Sequence, residues 1–194
     1  YFNEFIMNDG VTLMVRSTGT GAYCQGCDGG RGSTYEHDGG TGGKGGTFAS
    51  LGERGNHGAY GCKDERTGGG AGGERPSYAG GQLRIDAFKV NLNGDAKVDA
   101  SGGKGGDGDD GYEAGCGWGD QEAGGGGGGA GGAGGGFIEI TALLFDASSS
   151  AEIIVRGGDG GDGGDGGKKG DCGKSDDGGG GGGGAAGAGG KVQI

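Results

Sequence analysis

Apolar and polar residues alternate with a period of two in short blocks, and one long block occurs twice. Residues 80–108 read GGQLRIDAFKVNLNGDAKVDASGGKGGDG, and residues 135–163 read GGFIEITALLFDASSSAEIIVRGGDGGDG. Superposed without a gap at an offset of 55 residues (135 − 80 = 55), they match in glycines at both ends and in apolar positions between. This alternation predicts half-buried β-strands, and no stretch has a helical period. The predicted class is all-β with no α-helix.

Each block contains two strand patterns with a turn between them. The alternation changes parity at Phe88-Lys89, and Asn93-Gly94 is a turn signal before the second pattern. A core of short strands in three repeats, either a β-sandwich or a solenoid-like stack, is therefore expected. The core-facing residues of the two copies are predicted to be Leu83, Ile85, Ala87, Val90, Leu92, Ala96, Val98 and Ala100, and Ile138, Ile140, Ala142, Phe145, Ala147, Ala151, Ile153 and Val155.

A third copy is divided between the two ends of the printed sequence. GGKVQI at 189–194 repeats the opening of the block, and YFNEFIMNDGVTLMVRSTG at 1–19 supplies the remainder. We expect one repetitive domain, 1–194, with a linking strand at 189–194 that completes the first unit of a neighbour or of the same chain. The units are 1–79, 80–134 and 135–188. The strand residues assigned to assembly are Lys191, Val192, Gln193, Ile194, Tyr1, Phe2, Phe5 and Met7.

Glycine accounts for 65 of the 194 residues, with a single proline and only 29% hydrophobic residues. Collagen needs a strict Gly-X-Y repeat rich in proline, so collagen is excluded. A disordered low-complexity chain is the alternative, because glycine loses much backbone entropy on ordering. The strand patterns between the glycine runs argue against disorder.

The glycine runs have a period of three. Asp159, Asp162, Asp165 and Lys168 are separated by glycine pairs in a run that leaves a strand block, and we assign GGTGGKGGT at 39–47 to the same outgoing type. The runs that return to a strand block, 124–136 and 178–190, contain only glycine and alanine. Three residues per turn is typical of an extended left-handed helix, and bare glycine faces permit a hexagonal bundle held by backbone hydrogen bonds.

In this pattern of strand blocks and glycine runs, the chain resembles the polyglycine-II bundles of phage tail-fibre adhesins and of the glycine-rich ectodomain in receptors of the anaplastic lymphoma kinase family. It is also similar to glycine-rich repeats of bacterial surface proteins. The resemblance implies an extracellular, cell-surface or secreted protein with a polyglycine-II bundle built from its glycine-rich loops. It carries over no functional residue.

The net charge of −11 argues against nucleic acid as a partner, and no apolar run is long enough for membrane insertion. Cys62, Cys116 and Cys172 occupy equivalent positions before Gly80, Gly135 and Gly189. In a protein with little core outside the cell, disulfides are the expected use of cysteine. The disulfide candidates are Cys24, Cys27, Cys62, Cys116 and Cys172, and one of the five can bridge subunits.

Other chemistry has weaker signals. A zinc site from Cys24, Cys27, His37 and His57 lacks a standard spacing. The candidates for calcium are Asp159, Asp162 and Asp165, but they would lie ~9 Å apart along one run, so an ion would have to bridge runs or subunits. CGKS at 172–175 lacks the first glycine of a phosphate loop, and no nucleophile has a catalytic spacing. We predict no enzyme activity and no required cofactor.

The leading functional hypothesis is a structural subunit of an extracellular filament, a head-to-tail homopolymer in which 189–194 completes the first unit of the next subunit. A covalent tandem array would place the same strands side by side. The alternative is a monomeric adhesin or carbohydrate-binding module with three-fold repeats, which closes its last strand against its first and binds glycans. Ice binding is a third option, against which the charged Asp/Lys edge argues.

Overall fold

The computed structural model describes residues 2–18, 40–47, 50–58, 70–113, 123–168 and 177–194. In these residues the predicted all-β class without α-helix is confirmed. The strands are β1 (Phe2–Met7), β2 (Thr12–Met14), β3 (Arg16–Ser17), β4 (Ala79–Gly80), β5 (Gln82–Leu92), β6 (Lys97–Asp99), β7 (Phe137–Ala147), β8 (Glu152–Ile154) and β9 (Lys191–Gln193).

Two parallel sheets contain the main strands. One has the order β1-β5-β7-β9 and the other the order β2-β6-β8, while β3 and β4 form a short antiparallel pair. Leu83 lies beside Ile138, and Val98 lies beside Ile153, so residues aligned at the sequence offset of 55 are neighbours in the sheets. We call β1 and β2 the first layer, β5 and β6 the second layer, and β7 and β8 the third layer.

The core lies between the two sheets. Val90, Val98 and Ile138 are fully buried, and Ala96 and Ala100 present small side chains to the same cluster. Burying each large aliphatic side chain contributes roughly 1.5–3 kcal/mol, so a small core of this size stabilises the strands but not long loops. The rest of the fold must be held by the backbone.

The turns that join the two sheets stack on one another. Gly10 and Gly94 have positive φ angles of 73° and 57°, which glycine adopts without strain. The Asp95 N–H donates to Asp9 Oδ1 at 3.0 Å, and the Gly10 N–H donates to Asp95 Oδ1 at 2.6 Å. These bonds lock the first layer onto the second, and the Asp95 N–H is the main reason that the pKa of Asp9 is lowered.

Seven glycine-rich segments extend from the strands as a bundle. Segment 123–136, which we call the central segment, is buried along its whole length. Six others surround it, each bonded to the central segment and to its two neighbours in the ring. In order around the ring these are 40–47, 50–58, 70–77, 101–113, 157–168 and 177–190.

The central segment bonds to its neighbours with a period of three. Each N–H from 126 to 134 donates to a surrounding carbonyl at 2.8–2.9 Å. The N–H groups of 126, 129 and 132 donate to segment 177–190, and the following two sets of three donate to 101–113 and to 50–58. The remaining three neighbours donate to carbonyls of the central segment. Backbone hydrogen bonds therefore hold the bundle together, whereas packed side chains stabilise the strands.

One sequence prediction about the bundle is wrong. Segment 40–47 was assigned to the outgoing type, but the N–H groups of Gly40, Gly43 and Gly46 donate in ascending order to residues 126, 129 and 132. Segment 40–47 therefore runs parallel to the returning central segment, whereas 101–113 runs antiparallel to it. The long first loop supplies three segments, 40–47, 50–58 and 70–77, whereas each of the later loops supplies two. The additional segment closes the ring.

Candidate assembly interface

The first edge of the four-stranded sheet is only half covered. β1 pairs with residues 87–92 of β5, from Phe2 beside Ala87 to Met7 beside Leu92. Among the described residues, no strand pairs with 82–86 on that side. Unpaired N–H and C=O groups on a strand edge are a template for another strand.

The opposite edge has the complementary gap. β9 pairs only with residues 137–139 of β7, with Val192 beside Ile138. The second half of β7 has no strand beyond it among the described residues. In the columns of the sheet, β9 covers the part of a layer that β1 lacks. Together the two would make one strand as long as β5.

Side chains in one column of the sheet differ in burial between the covered strand β5 and the uncovered half of β7. Val90, in the middle of the sheet, is fully buried, whereas Phe145 in the same column is 38% exposed. Leu92 is likewise buried and its neighbour Ala147 is exposed. An aromatic ring on a core column, open to solvent, marks a surface that another layer would cover.

A groove lies beside β8, the third-layer strand of the second sheet. It has a volume of about 470 Å³ and is lined by residues 152–156 of β8 and the chain after it, together with Gly189 and Gly190. The Glu152 N–H donates to the Ala96 carbonyl, so this side of β8 faces β6. The opposite side of β8 faces the groove. The groove and the free half of β7 both belong to the third layer.

The third-layer glycine segments also face outward. The N–H groups of Gly105, Gly108 and Gly111 donate to carbonyls of segment 157–168 at 2.8–2.9 Å. Their counterparts one layer further out have no bonding partner among the described residues; they are Gly160, Gly163 and Gly166. The bundle is therefore closed around its central segment but open toward one further layer.

The structure brings the predicted assembly residues to these two edges. Lys191, Val192 and Gln193 form β9, with the Lys191 ammonium 5.8 Å from the centre of the Phe137 ring, and Ile194 is 66% exposed. Phe2 to Met7 form β1, in which Phe5 is half-buried and Met7 buried. Tyr1 lies outside the described residues.

The cysteine predictions cannot be placed on the structure. Cys24, Cys27, Cys62, Cys116 and Cys172 all lie outside the described residues, as does His37 of the zinc hypothesis. His57 is exposed, and its Nδ1 accepts a hydrogen bond from the Gly72 N–H at 3.2 Å. The disulfides and their connectivity stay predictions.

The three aspartates proposed for calcium form part of an exposed acidic edge. The Asp162 N–H donates to Asp107 Oδ1 at 2.8 Å, and the Asp165 N–H donates to Asp110 Oδ1 at 2.7 Å. The Asp162 N–H, and then the Lys104 ammonium at 3.1 Å, lower the pKa of Asp107. In the described ranges no group of three His, Cys, Asp or Glu side chains is arranged to hold a metal ion. The carboxylates that bind the backbone of the neighbouring segment are therefore those of Asp107 and Asp110.

Sequence reasoning missed Phe145 as an edge residue. The repeat alignment put Phe145 on a core column, and only the strand order shows that its column ends there. Gly189 belongs to the predicted linking strand 189–194 and aligns with Gly80 and Gly135.

No protein-family model, curated protein or solved structure matches this chain. The described part contains no helix that is long and apolar enough to cross a membrane. The resemblance to polyglycine-II bundle domains therefore stays a prediction from composition and repeats.

Proposed function

We propose that this protein is the structural subunit of an extracellular filament, in which β9 of one subunit and β1 of the next complete a single shared strand. The observation that carries the proposal is the complementary pair of half-covered edges. All strands of the sheet are parallel, so a strand added at either edge keeps the same polarity. Contacts of this head-to-tail kind repeat without closing.

We infer further that the subunit is three layers of a solenoid-like stack with a polyglycine-II bundle on one side. The three-residue period of the hydrogen bonds and the ring of six segments around one support this interpretation. The small core and glycine-rich bundle suit a protein stapled by disulfides outside the cell.

The sheet columns define the contacts in the filament. Because Phe5 and Phe145 both lie beside Val90, Phe5 of the next subunit takes its place on Phe145. Val192 and Leu83 both lie beside Ile138, so Val192 takes its place on Leu83 of the next subunit, which is half-buried in the single chain. Each subunit therefore covers the exposed core of its neighbour.

The monomeric adhesin required the last strand to close against the first within one molecule. The strand order places β1 and β9 on opposite edges of the sheet, so this closure is not made. Glycan binding is the function to test if the purified protein stays monomeric.

The first experiment is electron microscopy of the purified, non-reduced chain. Three strand spacings of ~4.8 Å give an axial rise of about 14 Å per subunit. With 18.4 kDa per subunit, the mass per length is about 1.3 kDa per Å for a single-stranded filament. Isolated particles of one subunit at all concentrations would overturn the proposal and favour the covalent array or the monomeric module.

Two variants then test the shared strand. Deletion of 189–194 removes β9 and is expected to abolish polymers. Phe145→Asp introduces a charge into the proposed interface, at a side chain that is already 38% exposed in the single chain. Phe88→Asp is the matched control, because Phe88 is 54% exposed on the outer face of the central strand β5. Polymers from the deletion variant at wild-type yield would contradict the shared strand.

A further inference from the structure

We propose that the groove beside β8 is a second docking site between subunits, occupied by β2 of the next subunit and the following Val15, with the Val15 carbonyl seated against Gly189. This proposal rests on the proposed function, since it names the partner of the same edge. It concerns the three-stranded sheet β2-β6-β8, whereas the shared β9–β1 strand belongs to the four-stranded sheet.

The first argument is a hydrogen bond that recurs at every layer boundary. In each case a glycine N–H at the start of a strand block donates to the carbonyl of the residue that ends the preceding layer. The three bonds are Gly81 to Val15 at 2.9 Å, Gly136 to Ala100 at 2.8 Å and Gly190 to Val155 at 2.6 Å. Val15, Ala100 and Val155 are therefore equivalent positions in successive layers.

The second argument is the space beside the preceding glycine. A Cβ atom on Gly80 would lie 2.0 Å from the Ala100 carbonyl oxygen, and one on Gly135 would lie 2.3 Å from the Val155 carbonyl oxygen. A Cβ on Gly189, the next member of the series, meets nothing within 4 Å. The missing neighbour is a carbonyl equivalent to Ala100 and Val155. Val15 of another copy is that residue.

The backbone edges of β2 and β8 also match. The Lys97 N–H donates to the Val11 carbonyl, and the Val15 N–H donates to the Asp99 carbonyl, so the Met14 N–H faces away from β6. The Ala100 N–H donates to the Ile154 carbonyl, so the Ile153 carbonyl faces the groove. In the register of the sheet, Met14 N–H of the incoming subunit donates to Ile153 C=O.

The occupant is a second copy because β2 repeats a pairing that the chain already makes. Leu13 lies beside Val98, and Val98 lies beside Ile153, so Leu13 of the next subunit covers the half-buried Ile153.

The test is Gly189→Val in the full chain, measured by sedimentation and electron microscopy. The variant should fold as wild type by circular dichroism, because the single chain leaves space at this position. Its critical concentration for polymerisation should rise about tenfold or more, which corresponds to ~1.4 kcal/mol. Asp109→Val is the control, since it adds the same side chain at an exposed position of the second-layer segment 101–113, which is bonded to a neighbouring segment on each side.

A mixing experiment adds a sharper result. Gly189→Val keeps its β1 and β2 edge, so it should add to one end of a wild-type filament and stop growth there. A substoichiometric amount of Gly189→Val should shorten wild-type filaments, and the same amount of Asp109→Val should not. Undiminished polymerisation of Gly189→Val would overturn the groove contact while wild-type filaments keep the shared strand.

A second variant covers the case in which Gly189→Val misfolds. Met14→Pro removes the outward N–H of an edge strand, where proline is tolerated in the single chain. It should block polymerisation from the opposite side of the same contact. Normal polymers from Met14→Pro would also overturn the proposal, whereas a wild-type chain that never polymerises would overturn the proposed function itself.

Discussion

At the scale of single residues, the bundle depends on the absence of side chains. In the central segment a Cβ on Gly129 would lie 2.1 Å from the Gly161 carbonyl oxygen, and a Cβ on Gly132 would lie 2.0 Å from the Gly158 carbonyl oxygen. The obstructing atoms belong to the backbone and cannot move without breaking hydrogen bonds. Glycine is therefore required by close approach of chains.

Gly129→Ala is expected to destabilise the fold by about 1–3 kcal/mol, because it overpacks a site bounded by backbone. Gly180→Ala is the matched control, since the nearest atom to its Cβ is 3.9 Å away. That variant should be neutral or more stable by about 0.4–1 kcal/mol, through lower entropy of the unfolded chain. Chemical denaturation of both variants measures the difference, and equal stability of the two would contradict the close-packed bundle.

At the scale of elements, Arg16 in β3 connects the first layer to the second. Its guanidinium lies 4.3 Å from the Tyr78 ring centre, donates to the Ser101 carbonyl, and is 3.3 Å from Asp99 Oδ2. The pKa of Asp99 is lowered overall: burial raises it, but hydrogen bonds from Ser101 and the charge of Arg16 together outweigh burial. These contacts hold the chain where it leaves β6 for segment 101–113.

The lowered pKa gives a pH dependence with a definite sign. The Asp99 contribution is present above its ordinary pKa of 3.8 and is lost as the pH falls through the lower folded value. Because both side chains are partly exposed, the effect should be below about 1 kcal/mol. Asp99→Asn should therefore reduce stability at pH 7 but lose less than wild type on acidification below pH 3.8. Unfolding midpoints measured across that range check this, and parallel pH profiles would contradict it.

At the scale of the whole molecule, a closed ring of segments coexists with an open stack of strands. The ring is complete because segment 40–47 bonds both to 50–58 and to 177–190. The strands, by contrast, end in two half-covered edges. The bundle thus stabilises the single chain, and the half-covered strand edges are the surfaces at which we propose assembly.

Hydrogen exchange should show both properties. In the single chain, the amides of 126–134 should exchange most slowly, while those of Gly160, Gly163 and Gly166 should exchange rapidly for lack of a partner. Filament formation should slow exchange in 142–147 and 152–155, where the next subunit adds strands. Unchanged exchange in those two ranges on polymerisation would place the interface elsewhere.

Much of this arrangement follows from the sequence. The alternation of Leu83, Ile85 and Ala87, the parity change at Phe88-Lys89 and the offset of 55 residues predicted the strands and the residues that become neighbours. The three-residue glycine period predicted extended segments joined through their backbones. These features are local or repetitive, so they are visible without knowing how the chain returns on itself.

Only the tertiary structure decided the direction of 40–47 and the identity of the edges. A glycine-rich run has few side chains to distinguish parallel from antiparallel neighbours, and its backbone can bond in either sense. Likewise, Val90 and Phe145 are equivalent in the repeat, but Val90 is buried and Phe145 is exposed because β9 pairs only with residues 137–139 of β7. Position in the assembled layers, which no single repeat encodes, determines which residues remain for a partner.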